Sequence, residues 1–145
     1  MHYTVEMEIA APRDKVTKAF TDPQHFSEWM VGLERYEVVE GVAEQTGARA
    51  EIRTAERGKT YDMVETIERN AMPDEFVVVY EVDGVHNRVV NRFAEKDQGT
   101  TVWTSVNEFK FPGARKGLEL VPFVFKGQSV REMARFKAYV EGVGG

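Results

Sequence analysis

Hydrophobic residues recur with a helical period over the last part of the chain, from Lys116 to Glu141. The stripe consists of Leu118, Val121, Pro122, Phe125, Met133, Phe136 and Val140. Apolar residues spaced three and four positions apart share one face of a helix, so this spacing predicts a long amphipathic helix. Ser129 and Glu132 fall on the same side as the stripe, where a helix that only packs on a core rarely carries polar groups.

The polar interruption of this stripe has two interpretations. Ser129 followed three residues later by Glu132 matches a capping box, in which case a break after Gly127 would separate two helices. Alternatively, the helix continues through Gly127, which costs only about 1 kcal/mol relative to alanine. In that case the middle of the helix faces a cavity, and its two ends pack on a sheet.

The beginning of the chain predicts one strand and two short helices. Apolar and polar residues alternate from His2 to Ala10, which is typical of a half-buried strand. Pro12 and the pair Asp22-Pro23 then mark two helix starts. Trp29 lies near the end of the second helix, where it either anchors the helices on the sheet or lines a pocket.

The middle of the chain, from Leu33 to Phe111, alternates in short segments that are separated by turn residues. Six strands are predicted, at 36–41, 48–55, 59–70, 75–82, 87–95 and 100–109. The order of strand, two helices, six strands and one long helix predicts an α+β fold. In this fold a curved antiparallel sheet of seven strands wraps around the terminal helix.

Several polar residues share the strand faces that we expect to point towards the terminal helix. These residues are Tyr61, Glu65, Tyr80, Asn91, Thr104 and Glu108, whereas Trp103 is assigned to the outer face. A few convergent polar groups in an apolar concavity are what a ligand site needs, although ordered water would need them as well. If Glu65 or Glu108 is enclosed, desolvation should raise its pKa and suit it to general acid or base chemistry.

Composition and charge exclude several classes of protein. The chain has 145 residues, no cysteine and a formal net charge of -5, so thiolate chemistry is absent and there is no basic footprint for nucleic acid. The three histidines are isolated, so neither a metal site nor a cofactor is predicted. No signal core or membrane-length apolar run is present, which makes a cytoplasmic protein with a single domain over 1–145 the expectation.

The segment IAAPRDKVTKAFTDPQHFSEW resembles the START-like helix-grip superfamily (SRPBCC), which includes birch-pollen-allergen-like and polyketide cyclase/dehydrase-like proteins. The similarity extends to Gly47, to the hairpin of Gly99, Thr100 and Val102, and to a terminal helix that ends in MARFKAYVE. The resemblance implies a sheet that grips the terminal helix, with an internal cavity for a small hydrophobic or amphipathic molecule. It carries no catalytic signature over to this chain, because a fold does not by itself specify an activity.

Three functions follow from the residues and this resemblance. The first is binding of a small hydrophobic ligand, for which the candidate residues are Trp29, Tyr61, Met63, Glu65, Tyr80, Asn91, Thr104, Phe125, Ser129, Glu132 and Met133. The second is a polyketide cyclase/dehydrase-like enzyme that uses Glu65, Asn91 or Tyr80. The third is a protein-interaction domain similar to chaperone activators. An exposed Trp103 would favour this third function or a homodimer.

Overall fold

The computed structural model of the protein describes residues 2–111 and 121–142, and for 121–125 it describes the backbone alone. The elements are β1 (His2–Ile9), α1 (Arg13–Thr21), α2 (Phe26–Trp29), β2 (Leu33–Glu40), β3 (Arg49–Glu56), β4 (Lys59–Ala71), β5 (Glu75–Val82), β6 (Val85–Asp97), β7 (Thr100–Lys110) and α3 (Val121–Val140). A 3-10 turn at Pro23–His25 joins α1 to α2, and the Asp22 carboxylate caps it by accepting from the Gln24 N–H. The predicted order of elements is therefore confirmed.

The strands form one antiparallel sheet in the order β1-β7-β6-β5-β4-β3-β2. Strands β2 to β7 are joined in sequence by turns, and β1 pairs with β7 along its whole length. The two helices between β1 and β2 therefore connect the opposite edges of the sheet. Gly32 makes the entry into β2 possible, because it has a φ of +68° and a Cβ there would lie 2.0 Å from the Ala55 carbonyl oxygen.

The concave face of the sheet packs against α1, α2 and α3. The largest fully buried side chains among the described residues are Ile9, Val16, Ile52, Ile67, Phe76, Val78, Phe93, Thr101 and Phe136. They occur at every second position of the strands and on the inner stripe of the helices, as the sequence periods require. The hydrophobic core thus lies between the sheet and the helices.

Helix α3 runs without a break through Gly127. The continuous-helix interpretation is confirmed, and the capping-box interpretation of Ser129 and Glu132 is wrong, because both residues lie inside the helix. The predicted start of this helix at Lys116 and the position of Leu118 lie outside the described residues. The same holds for the side chains of Val121, Pro122 and Phe125.

The predicted orientation of β7 is wrong. Trp103 is 4 % exposed and points inwards with Ser105, whereas Glu108 is exposed and Thr104 lies on the outer face. Both faces of this strand carry apolar residues, so alternation alone does not distinguish the inner one. The pairing with β1 and β6 decides the orientation, because it sets Trp103 opposite the inward-pointing Met7 and Phe93.

Candidate functional site

A buried carboxyl group lies in the middle of the concave face. Alternation along β4 turns Glu65 inwards between Met63 and Ile67, and its side chain is only 5 % exposed. Tyr80 on β5 pairs directly with Glu65 across the strands, and its hydroxyl shares a hydrogen bond with the Glu65 carboxyl. Asn87 on β6 is the next residue in the same row across the sheet.

A second carboxyl group reaches the same place from the loop between β2 and β3. Glu44 has a φ of +61° and is 4 % exposed, so the loop turns its side chain into the interior. Asn70 holds this loop on β4 by donating a hydrogen bond of 2.8 Å to the Glu44 carbonyl oxygen. The Tyr36 hydroxyl donates a hydrogen bond of 2.8 Å to the Glu44 carboxylate, and Glu44 and Glu65 share a hydrogen bond.

One hydrogen-bonded chain therefore links Tyr36, Glu44, Glu65 and Tyr80. We call Glu44 and Glu65 the inner carboxyl pair, and Tyr36 and Tyr80 its two tyrosines. Burial, together with the negative charge of Glu44, holds the pKa of Glu65 well above its usual range. Burial also raises the pKa of Glu44, but the hydrogen bonds from Tyr36 and Glu65 oppose that increase. Of the two carboxyl groups Glu65 therefore holds its proton more tightly, and it donates that proton to Glu44.

The two tyrosines of this chain act as donors. Burial raises the pKa of Tyr80 well above its usual range, with further contributions from the charges of Glu65, Glu44 and Glu132. Burial and the charge of Glu44 raise the pKa of Tyr36 in the same way. Both hydroxyls therefore keep their protons at neutral pH and stabilise the single negative charge of the inner carboxyl pair.

A third carboxyl group comes from α3. Burial raises the pKa of Glu132 to about 7, and the charges of Arg131 and Arg135 offset part of this effect. The charge of Glu132 also raises the pKa values of Tyr3 on β1 and Tyr80 on β5. The carboxyl group is therefore close enough to both tyrosines for its charge to act on them.

Ser129 lies one turn before Glu132 and contacts the same face of the sheet. Its hydroxyl oxygen is 2.7 Å from the Tyr3 hydroxyl oxygen. Ser129 thus interrupts the hydrophobic stripe of α3 where the helix meets a polar side chain of the sheet, and a cavity at this place stays a prediction.

Aromatic rings fill the other end of the concavity. The Phe20 ring lies 5.2–5.7 Å from the rings of five neighbours, which are Trp29, Phe76, Phe93, Trp103 and Phe136. Trp29 also contacts Phe26, and the Phe26 ring lies 5.0 Å from that of Tyr36. This aromatic wall therefore continues to the inner carboxyl pair.

The Trp29 indole carries an unsatisfied donor within this wall. Its Nε1 atom is the one buried side-chain nitrogen or oxygen among the described residues that lacks a hydrogen-bond partner. A buried donor without an acceptor costs about 1–3 kcal/mol. An oxygen atom of a bound molecule or of water would satisfy it.

Asn91 is a structural residue and not a free ligand group. Its Oδ1 atom accepts a hydrogen bond of 3.0 Å from Trp103 Nε1, and its Nδ2 atom donates one of 3.3 Å to the Phe76 carbonyl oxygen. Both ends of the amide are therefore used in holding β5, β6 and β7 together. Met133 is likewise a core residue, with 3 % of its surface exposed.

The remaining candidates divide into three groups. Five candidates come together around the concavity, namely Trp29, Glu65, Tyr80, Ser129 and Glu132. Met63 lies half-buried at its edge. The assignment of Thr104 to the site is wrong, because its side chain lies on the outer face. Tyr61 shares the inner face of β4, as predicted, and is 41 % exposed at the end of that strand, so its part in a ligand site stays a prediction. The Phe125 side chain lies outside the described residues.

Sequence reasoning missed Glu44, Tyr36 and Tyr3 as members of this group. Tyr3 and Tyr36 are aromatic residues at inward strand positions, so their faces were predictable but their hydrogen-bond partners were not. Glu44 lies in an irregular loop, where no period indicates the direction of a side chain. A glutamate flanked by Ala43 and Gln45 in a short loop gives no sequence signal of burial.

Other features of the described structure do not compete with this site. A depression of about 250 Å³ lies along β2, β3 and β4 and is lined by Arg35, Glu51, Ile52, Arg53, Asp62, Met63 and Val64. Its charged residues pair with one another, Arg35 with Glu51 and Arg53 with Asp62. Among the described residues, no group of three or more His, Cys, Asp or Glu side chains is placed to hold a metal ion. No helix in the described part of the chain is long and apolar enough to cross a membrane.

Solved structures with the same fold cover the chain almost completely. Ara h 8.0201 superposes with a TM-score of 0.78 at 19% identity, covering 97% of this chain and 98% of that one. A Thermus thermophilus protein gives 0.77 at 17% identity with full coverage of both chains. The Zhui aromatase/cyclase from Streptomyces gives 0.77 at 16% identity, covering 100% of this chain and 98% of that one.

These likenesses establish the helix-grip fold that the sequence predicts. A search of curated protein sequences gives no match. The family described as polyketide cyclase / dehydrase and lipid transport, in contrast, matches residues 1–141. Because this match spans nearly the whole sequence, the chain belongs to the polyketide cyclase/dehydrase and lipid transport family, within the START-like helix-grip superfamily.

Proposed function

We propose that the protein binds a small hydrophobic or amphipathic molecule between the concave face of the sheet and α3. The observation that carries this proposal is the convergence of Glu44, Glu65 and Glu132 on an interior that is otherwise apolar and aromatic. Burying carboxyl groups costs free energy and is a poor way to stabilise a fold. Such departures from good packing are expected at functional sites.

The surroundings of these carboxyl groups support a ligand site. Apolar surface with a few oriented polar groups is the usual lining of a small-molecule site. The aromatic wall around Phe20 supplies the apolar surface, while the carboxyl groups and the Tyr80 hydroxyl supply the polar groups. The unsatisfied Trp29 N–H is a further group that an occupant of the interior would complete.

Native mass spectrometry of the protein after incubation with a cell extract tests this proposal. We expect a species heavier than the free chain by the mass of one small molecule, which is released on denaturation. Replacing Tyr80 with Trp, which puts a larger ring beside Glu65, should abolish the adduct. The matched control is Tyr61→Trp at an exposed position of the neighbouring strand, which should keep it. A free chain under all conditions would contradict the proposal.

The inner carboxyl pair also favours a second candidate, a polyketide cyclase/dehydrase-like enzyme. Two adjacent carboxyl groups that share one proton can both donate and accept a proton at neutral pH. Glu65 would act as the general acid or base, and the Tyr80 hydroxyl would hold a substrate oxygen. Asn91 is not part of this candidate mechanism, because its amide is already bonded at both ends.

Turnover of a synthetic poly-β-ketone thioester distinguishes this enzyme from a simple binding protein. Glu65→Gln keeps the shape and most hydrogen bonds of the side chain but removes its proton chemistry, so it should lower kcat by at least about a hundredfold. Asn107→Asp, which alters a buried polar residue away from the pair, is a control for general damage to the interior. Equal turnover by the wild type and Glu65→Gln would exclude the enzymatic role.

The cytoplasmic location, the single-domain organisation and a homodimer stay predictions. The argument for a partner surface at Trp103, however, is wrong, because this ring is buried in the core.

A further inference from the structure

Three polar side chains meet where the turn between α1 and α2 approaches the last turn of α3. His25 ends the 3-10 turn, and its Nδ1 atom shares a hydrogen bond with the Tyr139 hydroxyl of α3. The centroids of the two rings are 5.6 Å apart. The other ring nitrogen of His25, Nε2, lies 3.7 Å from the Oδ2 atom of Asp22. A carboxylate, an imidazole and a hydroxyl therefore follow one another in this order, and none of them belongs to the concave site.

The turn fixes both the carboxylate and the imidazole. The Oδ1 atom of Asp22 accepts a hydrogen bond of 3.0 Å from the Gln24 N–H, which leaves Oδ2 to face the imidazole. The His25 N–H donates a hydrogen bond of 3.0 Å to the Asp22 carbonyl oxygen. A carboxylate beside Nε2 favours the neutral tautomer that carries its proton on this nitrogen. The Nδ1 atom is then an acceptor that can take the proton of the Tyr139 hydroxyl.

A cation lies one helical turn before this hydroxyl. Arg135 and Tyr139 are four positions apart on α3, so they are neighbours on the helix surface. The Arg135 Nε atom donates a hydrogen bond of 3.2 Å to the Glu28 carbonyl oxygen of α2, which holds the guanidinium near His25. Arg135 is exposed and forms no ion pair with another described residue. Its remaining N–H groups can therefore stabilise a negative charge that develops beside Tyr139.

We propose that Tyr139 is the nucleophile of a second site, which accepts the acyl group of activated carboxylic esters. A hydroxyl, a base that bonds it and a carboxylate that orients the base are the parts that nucleophilic acyl transfer requires. His25 and Tyr139 are both half-exposed, so a small ester can reach them from solvent. The site uses none of the residues of the concavity, and it is therefore independent of the proposed function.

The reaction is a simple transfer between two oxygen atoms. The Tyr139 oxygen attacks the carbonyl carbon of the ester, and its proton passes to His25 Nδ1. Arg135 stabilises the oxyanion of the tetrahedral intermediate. The bond from the acyl carbon to the leaving oxygen then breaks, and the leaving group takes its electron pair and recovers the proton from His25 directly or through water. The products are an O-acyl tyrosine and a free alcohol or phenol.

Acetylation of the protein by p-nitrophenyl acetate, resolved by peptide mass spectrometry, tests the inference. Tyr61 is an internal reference, because it is 41 % exposed and its hydroxyl has no hydrogen-bond partner among the described residues. We expect Tyr139 to be acetylated at least about tenfold faster than Tyr61, although it is less exposed, because a positioned general base contributes about a hundredfold or more. A rate at Tyr139 no higher than that at Tyr61 would overturn the inference.

Three variants assign the effect to its residues. His25→Gln can still form a hydrogen bond with the Tyr139 hydroxyl but cannot take its proton, so it should slow acetylation of Tyr139 by at least about tenfold. Asp22→Asn still caps the turn but lacks the charge, so it should slow acetylation without changing the urea midpoint. The matched control is His86→Gln, at a second half-exposed histidine that lies 3.4 Å from the Glu81 carboxylate, and it should leave the rate unchanged.

The rate at Tyr61 should be the same in all these proteins. An unchanged rate at Tyr139 in His25→Gln or in Asp22→Asn would overturn the arrangement that we infer. The comparison of Tyr139 with Tyr61 in the wild type keeps the test decisive even if a variant does not fold.

Discussion

Replacing Glu132 with Gln should make the protein more stable at pH 8 and leave it nearly unchanged at pH 5. The ordinary pKa of this carboxyl group is 4.5, and burial in the folded chain raises it to about 7. Between these values the folded chain holds a proton that the unfolded chain has lost. The wild type therefore loses stability as the pH rises through this window. Gln carries no ionisable proton, so the variant does not lose this contribution.

The size of the effect follows from the difference between the two pKa values. At about 1.4 kcal/mol for each pH unit, the difference corresponds to about 3 kcal/mol as an upper limit. Glu132 is only half-buried, and water reduces the cost of its charge, so we expect a gain of about 1–3 kcal/mol at pH 8. This gain should appear mostly between pH 5 and pH 7.

Urea unfolding followed by tryptophan fluorescence at pH 5, 6, 7 and 8 measures this difference. The slope of the free energy of unfolding against urea should be the same for both proteins, because the area exposed on unfolding does not change. Glu51→Gln serves as the control and should stay within about 0.5 kcal/mol of the wild type at each pH. A Glu132→Gln variant that is less stable than the wild type at pH 8, or equally changed at all pH values, would refute the burial of this carboxyl group.

Other substitutions test the protonation of the inner carboxyl pair and the course of α3, and urea unfolding at pH 7 measures each of them. Glu65→Gln should change the free energy of unfolding by less than about 1 kcal/mol, because the amide can still donate to Glu44. Glu44→Gln should lower the free energy of unfolding by about 2 kcal/mol, because it removes a carboxylate that accepts two hydrogen bonds. A larger loss of stability for Glu65→Gln than for Glu44→Gln would indicate that Glu44 holds the proton. Gly127→Ala should stabilise the protein by about 0.5–1 kcal/mol, since a Cβ there meets nothing within 4 Å, whereas Gly32→Ala should cost more than about 1 kcal/mol. A destabilised Gly127→Ala variant would argue against a continuous helix. Trp103→Phe should cost about 1–3 kcal/mol by leaving a buried amide oxygen without its donor, and no loss would show that this hydrogen bond is dispensable.

The fold was predictable because the local patterns agree with one another. The alternation in β1 separates Val5 and Ile9 from charged neighbours, so only one face can be buried. The stripe of α3 is apolar at Met133, Phe136 and Val140, which all lie in the core. Each of these elements therefore carries its orientation in its own sequence.

The orientation of β7 was not predictable from its own residues. Val102 and Val106 on one face are as compatible with burial as Trp103 and Phe109 on the other. The choice depends on pairing with two neighbouring strands, which is a tertiary constraint. For the same reason the predicted roles of Thr104, Glu108 and Trp103 were wrong together, whereas the faces of the other strands were correct.

The candidate site was predictable only where regular elements carry it. Glu65 and Tyr80 follow strand periods, and Ser129 and Glu132 were visible as polar residues within an apolar stripe. Glu44 depends on a loop that turns back on itself at a positive φ, and a loop has no period from which such a direction follows. The sequence thus predicts a polar interior but not the pairing of two carboxyl groups in it.

The most direct test of the central claim is a two-dimensional 15N NMR titration of the protein with 1-octanol, a neutral probe whose binding does not depend on the sign of the site's charge. We expect saturable shifts, in one-to-one stoichiometry, of the amides of Glu65, Tyr80 and Ser129 on the two sides of the concavity. The amides of Arg35 and Glu51, which border the depression on the outer face, should not shift. Saturable shifts confined to the outer face, or no saturable shifts up to the solubility limit of octanol, would contradict the account.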